Sequence, residues 1–149
     1  MTAINSPSDT FLEALHDTFV SEFRLLEDLM GQMHRQRDAV GVGDYQGIND
    51  STFATHRILA TLRQARQRRR QLNLLLGGSE ECTFDELETA LGDRVDARLR
   101  EARHQLQQAA SLLAREVSAN RMLLRATLSI NAGTDASSCV CRATPAMSH

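Results

Sequence analysis

Apolar residues recur every seven positions in the first third of the chain. A heptad repeat sustained over about four repeats is typical of a coiled-coil-like helix, because it places the apolar side chains in one seam. Ser8 or Asp9 can cap the start of this helix, and the glycines of GVGD (41–44) predict its end near Val40. The repeat consists of Leu12, Phe19, Leu26, Met33 and Val40, with Leu15, Phe23 and Met30 in the intervening turns.

A second amphipathic helix is predicted from Tyr45 to Leu76, before the glycines at 77–78. Arg69 interrupts its apolar face, so we expect the Arg69 stem to lie along the edge of the core and its head to reach solvent. The sequence leaves open whether GVGD forms a tight hairpin or a kink. The apolar face consists of Ile58, Leu62, Ala65, Leu72 and Leu76.

Two further helices are predicted in the second half of the chain. Residues 83–86 (TFDE) form a capping box that begins a helix of two to three turns, which ends at Gly92. Asp93 is the expected cap of a last helix that runs to about Asn131, a rod of roughly 58 Å. The small, polar residues that follow lack periodicity and predict a flexible, disordered tail.

These elements together predict an all-α fold. We expect an elongated antiparallel helical hairpin or bundle with coiled-coil-like packing and a long C-terminal helix. Residues 9–131 should form a single helical domain, and residues 132–149 the flexible tail.

The apolar stripe of the last helix widens toward its end. At about 100° per residue, its first part lies within about 60° of Leu113. Beyond residue 110, Leu112, Leu123 and Ile130 lie on one flank, and Val117, Leu124 and Leu128 on the other. Either the first two helices cover both flanks, or a partner helix lies in an open groove. The first part of the stripe comprises Val95, Leu99, Ala102, Leu106, Ala109 and Ala110.

Asn120 lies near the middle of this widened stripe. A buried amide without hydrogen-bond partners costs about 1–3 kcal/mol, and in coiled coils a buried asparagine fixes the register of the helices. The residue is therefore either a satisfied core asparagine or a register residue beside the helix of another protein.

Charge is distributed unevenly along the chain. The net charge is -2, which gives no overall attraction to nucleic acid or to an anionic membrane. Residues 51–79 contain no acid and six arginines, and the acidic segment 80–96 follows directly. The run RQARQRRR (63–70) is therefore predicted to be a solvated face or to pair with that acidic segment, and docking to an acidic partner is a third interpretation. We expect no nucleic acid as a partner.

The remaining composition argues against an enzyme. Cys82, Cys139 and Cys141 are odd in number and indicate a reducing compartment, and the last two with His149 fall short of a four-ligand metal site. We see no phosphate-binding loop or catalytic constellation, so no cofactor is expected. The chain begins without a signal-peptide pattern and lacks a long apolar span, so we expect a cytoplasmic protein without membrane insertion.

Several segments resemble the FlgN-type flagellar export chaperones over about residues 10–131. They are the heptads, GVGDYQGI (41–48), ILATLRQARQRRRQL (58–72) and VSANRMLL (117–124). The resemblance implies a cytosolic chaperone without enzymatic activity. It would bind C-terminal helical segments of the hook-filament junction proteins FlgK and FlgL and deliver them to the type III export apparatus. The implied partner-binding residues are Leu113, Val117, Asn120, Leu123, Leu124, Thr127 and Leu128.

A second hypothesis belongs to a different functional class. The same apolar strip would suit a structural coiled-coil or helical-bundle protein that self-assembles into a homo-oligomer, or an adaptor. The two hypotheses differ in whether the strip binds a different protein or a second copy of the chain.

Overall fold

The described part of the chain is a set of long helices. The computed structural model describes the backbone of residues 7–143 and the side chains of residues 9–126. This range contains no strand, which confirms the all-α fold of long packed helices. The elements are α1 (Pro7–Val42), α2 (Tyr45–Gly77), α3 (Phe84–Leu91), a 3-10 turn (Gly92–Arg94) and α4 (Ala97–Ala143).

Helix α1 lies at the centre of the fold. It pairs antiparallel with α2, because Gln36 contacts Thr52 near the hairpin and Glu22 lies farther from it, opposite Arg69. It pairs parallel with α4, because contacts to α1 move forward along both helices, from Arg98 with Glu13 to Asn120 with Met33. Among the described residues, no Cα of α2 lies within 8 Å of a Cα of α4. The two outer helices are therefore separated along α1.

The core follows the heptads of α1 and the first part of the α4 stripe. The predicted positions Leu15, Phe19, Leu26 and Met33 are buried, whereas Leu12, Phe23, Met30 and Val40 are half-buried. From α2 and the short helix, Leu62, Ala65, Leu87 and Leu91 are buried. The second half of the chain contributes Val95, Leu99, Ala102, Leu106 and Ala109, and Ala110 is exposed.

A tight hairpin joins α1 to α2, which answers the question that the sequence left open. Gly43 has a φ of 71°, a left-handed conformation that glycine adopts without steric cost. The Asp44 N–H donates to the Ala39 carbonyl at 2.8 Å, and the Asp44 carboxylate accepts from the Gly47 N–H at 2.9 Å. The chain thus reverses direction and caps α2 within a few residues.

The predicted capping box is confirmed, but the predicted cap of α4 is wrong. Thr83 Oγ1 accepts from the Glu86 N–H, and the Glu86 carboxylate accepts from the Thr83 N–H. Asp93 lies inside the 3-10 turn, and Asp96 caps α4 by accepting from the Leu99 N–H at 2.8 Å. The helix starts later because Val95 is extended and buried in the core before α4 begins.

Helix α4 ends later than the sequence predicted. Its backbone is helical to Ala143 rather than to about Asn131. Residues 144–149 lie outside the described range, and the flexibility of 132–149 stays a prediction. None of the described helices is long and apolar enough to cross a membrane.

Candidate partner-binding surface

Asn120 faces α1, and its side-chain amide finds hydrogen-bond partners within the chain. It is 4% exposed, and its Nδ2 donates to the Met33 carbonyl at 2.8 Å. Its Oδ1 accepts from Arg37 Nε at 3.1 Å. The side chain thus uses both its donor and its acceptor on a single turn of α1. The core-asparagine interpretation describes its place in this structure, and the contacts fix the register of α4 against α1.

Two ionic contacts between α1 and Glu116 lie next to the hydrogen bonds of Asn120. Arg37 Nη2 donates to the Glu116 carboxylate, and His34 Nε2 lies 3.6 Å from the same carboxylate. The Arg37 hydrogen bond holds the pKa of Glu116 below its usual range. Glu116 therefore keeps its negative charge, and its ion pair with α1, to a lower pH than an isolated glutamate would.

Gln36 links the polar contacts of α4 to α2. Its Oε1 lies 3.4 Å from Asn120 Nδ2, and its Nε2 donates to Thr52 Oγ1 at 3.4 Å. We call Met33, Gln36, Arg37, Thr52, Glu116 and Asn120 the Asn120 layer. It is the place where all three long helices are connected by polar groups.

An open groove separates α2 from α4, with α1 as its floor. Its cavity has a volume of about 500 Å³. Apolar side chains and arginines from both outer helices line it, together with the acidic residues Glu22, Glu80 and Glu81. The apolar residues are Phe19 and Leu26 of α1, Leu62 of α2 and Leu106 of α4, and the arginines are Arg66, Arg69, Arg70 and Arg103.

The two flanks of the α4 stripe lie on opposite sides of Asn120. Ala110, Val117 and Leu124 are seven residues apart and thus share one flank, and Ala110 lines the groove. Val117 and Leu124 are half-buried and lie on this flank one and two heptads beyond Ala110. Leu112 and Leu123 lie on the other flank, where Leu112 is 50% exposed and Leu123 is half-buried. The structure therefore leaves both flanks partly uncovered.

Five of the seven predicted partner-binding residues can be placed from their side chains. Leu113 packs against the core and is half-buried, as are Val117, Leu123 and Leu124, and Asn120 is buried. Thr127 and Leu128 lie beyond the residues whose side chains are described. The placed residues form one continuous stretch of α4, in which Asn120 points to α1 and Val117 and Leu124 share the flank of Ala110.

A buried carboxylate, Glu22, lies in the floor of the groove. It is 1% exposed, with Arg69 Nε at 3.3 Å and Arg66 Nε at 3.8 Å from its two oxygens. Burial raises the pKa of Glu22, and the two arginines offset only part of this effect. Its Oε2 has no hydrogen-bond partner among the described residues. Burying the charge of Glu22 therefore costs free energy, and the ion pairs with Glu22 hold Arg66 and Arg69 at the groove.

These ion pairs change the interpretation of the arginine run. The members of the run that form ion pairs, Arg66 and Arg69, bind Glu22 rather than the acidic segment 80–96. That segment pairs instead with the start of α4, through Glu88 with Arg100 and Asp85 with Arg103. Arg103 also stacks on Phe84, with Cζ 4.5 Å from the ring centroid. The sequence could not assign these partners, because they depend on which helices are neighbours.

Some of the missed residues had a signal in the sequence and others did not. Glu22 lies seven residues after Leu15 and seven before Leu29, so a charge interrupts one column of the heptad seam. Arg37 and Glu116 are far apart in the chain and show no local pattern. Within the described residues, no cluster of histidine, cysteine, aspartate or glutamate could hold a metal ion. The side chains of Cys139, Cys141 and His149 are outside that range.

Comparison with known families identifies the chain's relatives. The family model described as FlgN protein matches residues 11–134. Because the match covers most of the chain, the chain belongs to the FlgN family, whose general role is that of a flagellar export chaperone. Searches of curated proteins and of solved structures gave no significant match.

Proposed function

We propose that this FlgN-family chain binds the C-terminal helical segments of the hook-filament junction proteins FlgK and FlgL in the cytoplasm and delivers them to the flagellar export apparatus. Family membership supplies the general chaperone role. The choice of these two cargo proteins, the delivery step and the binding surface are the proposal.

The observation that carries the proposal is the position of Val117 and Leu124. They continue, at seven-residue spacing, the flank on which Ala110 lines the groove between α2 and α4. An amphipathic cargo helix laid along this flank would bury its apolar face against them, in the helix-in-groove mode. Among the described residues, no Cα of α2 lies within 8 Å of a Cα of α4, so the two outer helices do not close the groove by packing on each other.

The other predicted residues contribute to binding either by direct contact or by positioning their neighbours. Leu113, Leu123, Thr127 and Leu128 extend the contact along α4. Asn120 contributes by fixing the register of α4 against α1, and with it the position of Val117 and Leu124. A change at Asn120 would therefore act on binding through the position of these neighbours.

A surface of this kind suits a chaperone that must release its cargo. A segment that is disordered before it binds has to be ordered on the chaperone, and this entropic cost lowers the net affinity. Covering its apolar face also prevents the segment from associating with other chains. Moderate affinity and protection from aggregation are both what export requires.

Self-assembly through the same apolar strip of α4 is the alternative hypothesis. It predicts that the purified chain alone has the mass of a dimer or larger oligomer. The purified chain alone and its mixtures with the C-terminal segments of FlgK and FlgL can be compared by sedimentation velocity. The proposal expects a monomer that forms a 1:1 complex with each segment. A chain that dimerises and forms no complex would establish the self-assembly hypothesis instead.

A further inference from the structure

The exposed outward side of α2, opposite its core residues, carries a second heptad seam, of which Gln71 also lines a cavity beside α1. Its positions alternate by three and four residues, and all of them are exposed. They are Phe53, Arg57, Ala60, Gln64, Gln67, Gln71 and Leu74. At 1.5 Å per residue the seam is about 30 Å long. A seam of this length matches one helix of about six turns.

Arginines flank this seam at the positions that determine partner choice. Arg63 and Arg70 directly precede two of the seam residues, Gln64 and Gln71, and Arg68 directly follows Gln67. In a coiled coil such flanking positions form ion pairs across the interface and decide which helix is accepted. The seam and its flanks contain no acid from Ser51 to Ser79.

The charges on this side are not neutralised within the described part of the chain. Arg66 and Arg69 point to the other side of α2, where they pair with Glu22. Arg57, Arg63, Arg68 and Arg70 are exposed and form none of the ion pairs found among the described residues. The outward side of α2 is thus a positive surface on a chain whose net charge is -2.

We propose that this outward seam of α2 docks an acidic amphipathic helix of another protein, with carboxylates at the flanking positions. The partner's carboxylates pair with Arg63, Arg68 and Arg70, and its seam residues pack on Ala60, Phe53 and the glutamines. Because polar glutamines occupy much of the seam, the association is reversible and sensitive to salt. The seam residues do not line the groove between α2 and α4, so this partner and a helix bound along α4 can be held at the same time, with Arg70 at the edge between the two surfaces.

Charge argues against the other occupants of this surface. A second copy would place arginines opposite arginines in either orientation of the two helices, which is repulsive. Nucleic acid would meet Glu80 and Glu81 directly beyond α2, and Phe53 is the one aromatic residue available for base stacking on the seam. Membrane binding would require an apolar face, whereas the middle of this one consists of glutamines.

The test uses the full chain and a labelled synthetic peptide of about four heptads with leucine in the seam and glutamate at the flanking positions. Fluorescence anisotropy gives its affinity for the parent chain and for Arg63→Glu/Arg70→Glu. The control, Arg24→Glu/Arg35→Glu, changes the net charge equally at exposed arginines of α1. Circular dichroism confirms that both variants are folded.

The first double variant should weaken binding of the acidic peptide by about tenfold, and the control should leave it nearly unchanged. A peptide with lysine at the flanking positions should show the reverse preference and bind Arg63→Glu/Arg70→Glu better than the parent. Three results would overturn the proposal: no binding of the acidic peptide to the parent, equal loss in both double variants, or tighter binding of single-stranded RNA or phosphatidylserine vesicles that Arg63→Glu/Arg70→Glu abolishes.

Discussion

The side-chain amide of Asn120 in α4 donates a hydrogen bond to the main-chain carbonyl of Met33 in α1, at 2.8 Å. Arg37 Nε donates to the carbonyl oxygen of the same amide. One residue thus ties two parallel helices together at a single relative height. Apolar packing alone would tolerate a shift of α4 along α1, whereas this polar contact fixes one register.

Replacing Asn120 should therefore destabilise the fold. Asn120→Ala leaves Arg37 Nε without this acceptor and opens a small cavity, so the free energy of unfolding should fall by about 1–3 kcal/mol. Urea denaturation followed by circular dichroism measures the change. Ser118→Ala, at an exposed position one half-turn away, serves as the control and should change stability little. Equal stability of both variants would show that the Asn120 layer is not a structural determinant.

Glu22 and Glu116 predict pH effects of opposite sign. Burial raises the pKa of Glu22, so the folded chain holds the proton of Glu22 more tightly than the unfolded chain does. The contribution of Glu22 to the free energy of unfolding is therefore lost as pH rises above the ordinary glutamate pKa of about 4.3. The pKa of Glu116 is lowered by Arg37, so its contribution is present above that value and is lost as pH falls.

The two groups can be separated by isosteric variants measured from pH 4 to pH 7. As pH rises, Glu22→Gln should become more stable relative to the parent chain, and Glu116→Gln should become less stable relative to it. Denaturant titrations at several pH values give both differences. If both variants changed in the same direction with pH, the assignment of these environments would be wrong.

The corrected start of α4 can be tested with two neighbouring aspartates. Asp96 accepts from the Leu99 N–H, whereas Asp93 lies in the 3-10 turn. Asp96→Ala should lower the free energy of unfolding by about 0.5–2 kcal/mol, the usual cost of a lost N-cap. Asp93→Ala should have little effect. The opposite ranking in thermal or urea unfolding would place the cap where the sequence alone suggested it.

Two helical glycines should respond in opposite directions to the same substitution. A Cβ at Gly77 would lie 2.7 Å from Cys82 Sγ and 3.1 Å from Leu87 Cδ1, so Gly77→Ala should force the following loop away and destabilise the fold. A Cβ at Gly31 would meet nothing within 4 Å, so Gly31→Ala should stabilise α1 by about 0.5–1 kcal/mol. Melting temperatures of the two variants decide this. A stabilised Gly77→Ala would contradict the close packing of that loop.

Local signals made much of the fold predictable. The heptads of α1, the capping box at Thr83 and the glycines of the hairpin act within a few residues, so the sequence shows them directly. The start of α4 was misplaced because Asp93 and Asp96 are both acceptable caps, and the choice depends on Val95 being buried in the core. That choice is a tertiary effect.

The candidate surface was less predictable for the same reason. The angular pattern placed Val117, Asn120 and Leu124 on one apolar stripe. It did not show which of the three side chains faces α1. The partners of Asn120 are more than eighty residues away in the chain, and the ion pairs of Glu22 depend on α2 being adjacent. Only the relative placement of the helices supplies this information.

The most direct test of the account is the affinity of the FlgK C-terminal segment for two variants of α4. Leu124 lies on the flank that continues the groove, and Ala119 is an exposed residue about 140° away around the helix. Isothermal titration calorimetry should show that Leu124→Asp weakens binding by at least tenfold, because a charge would be buried against the cargo helix. Ala119→Asp should bind like the parent chain, with both variants folded by circular dichroism. Unchanged affinity in Leu124→Asp would contradict the proposed binding surface.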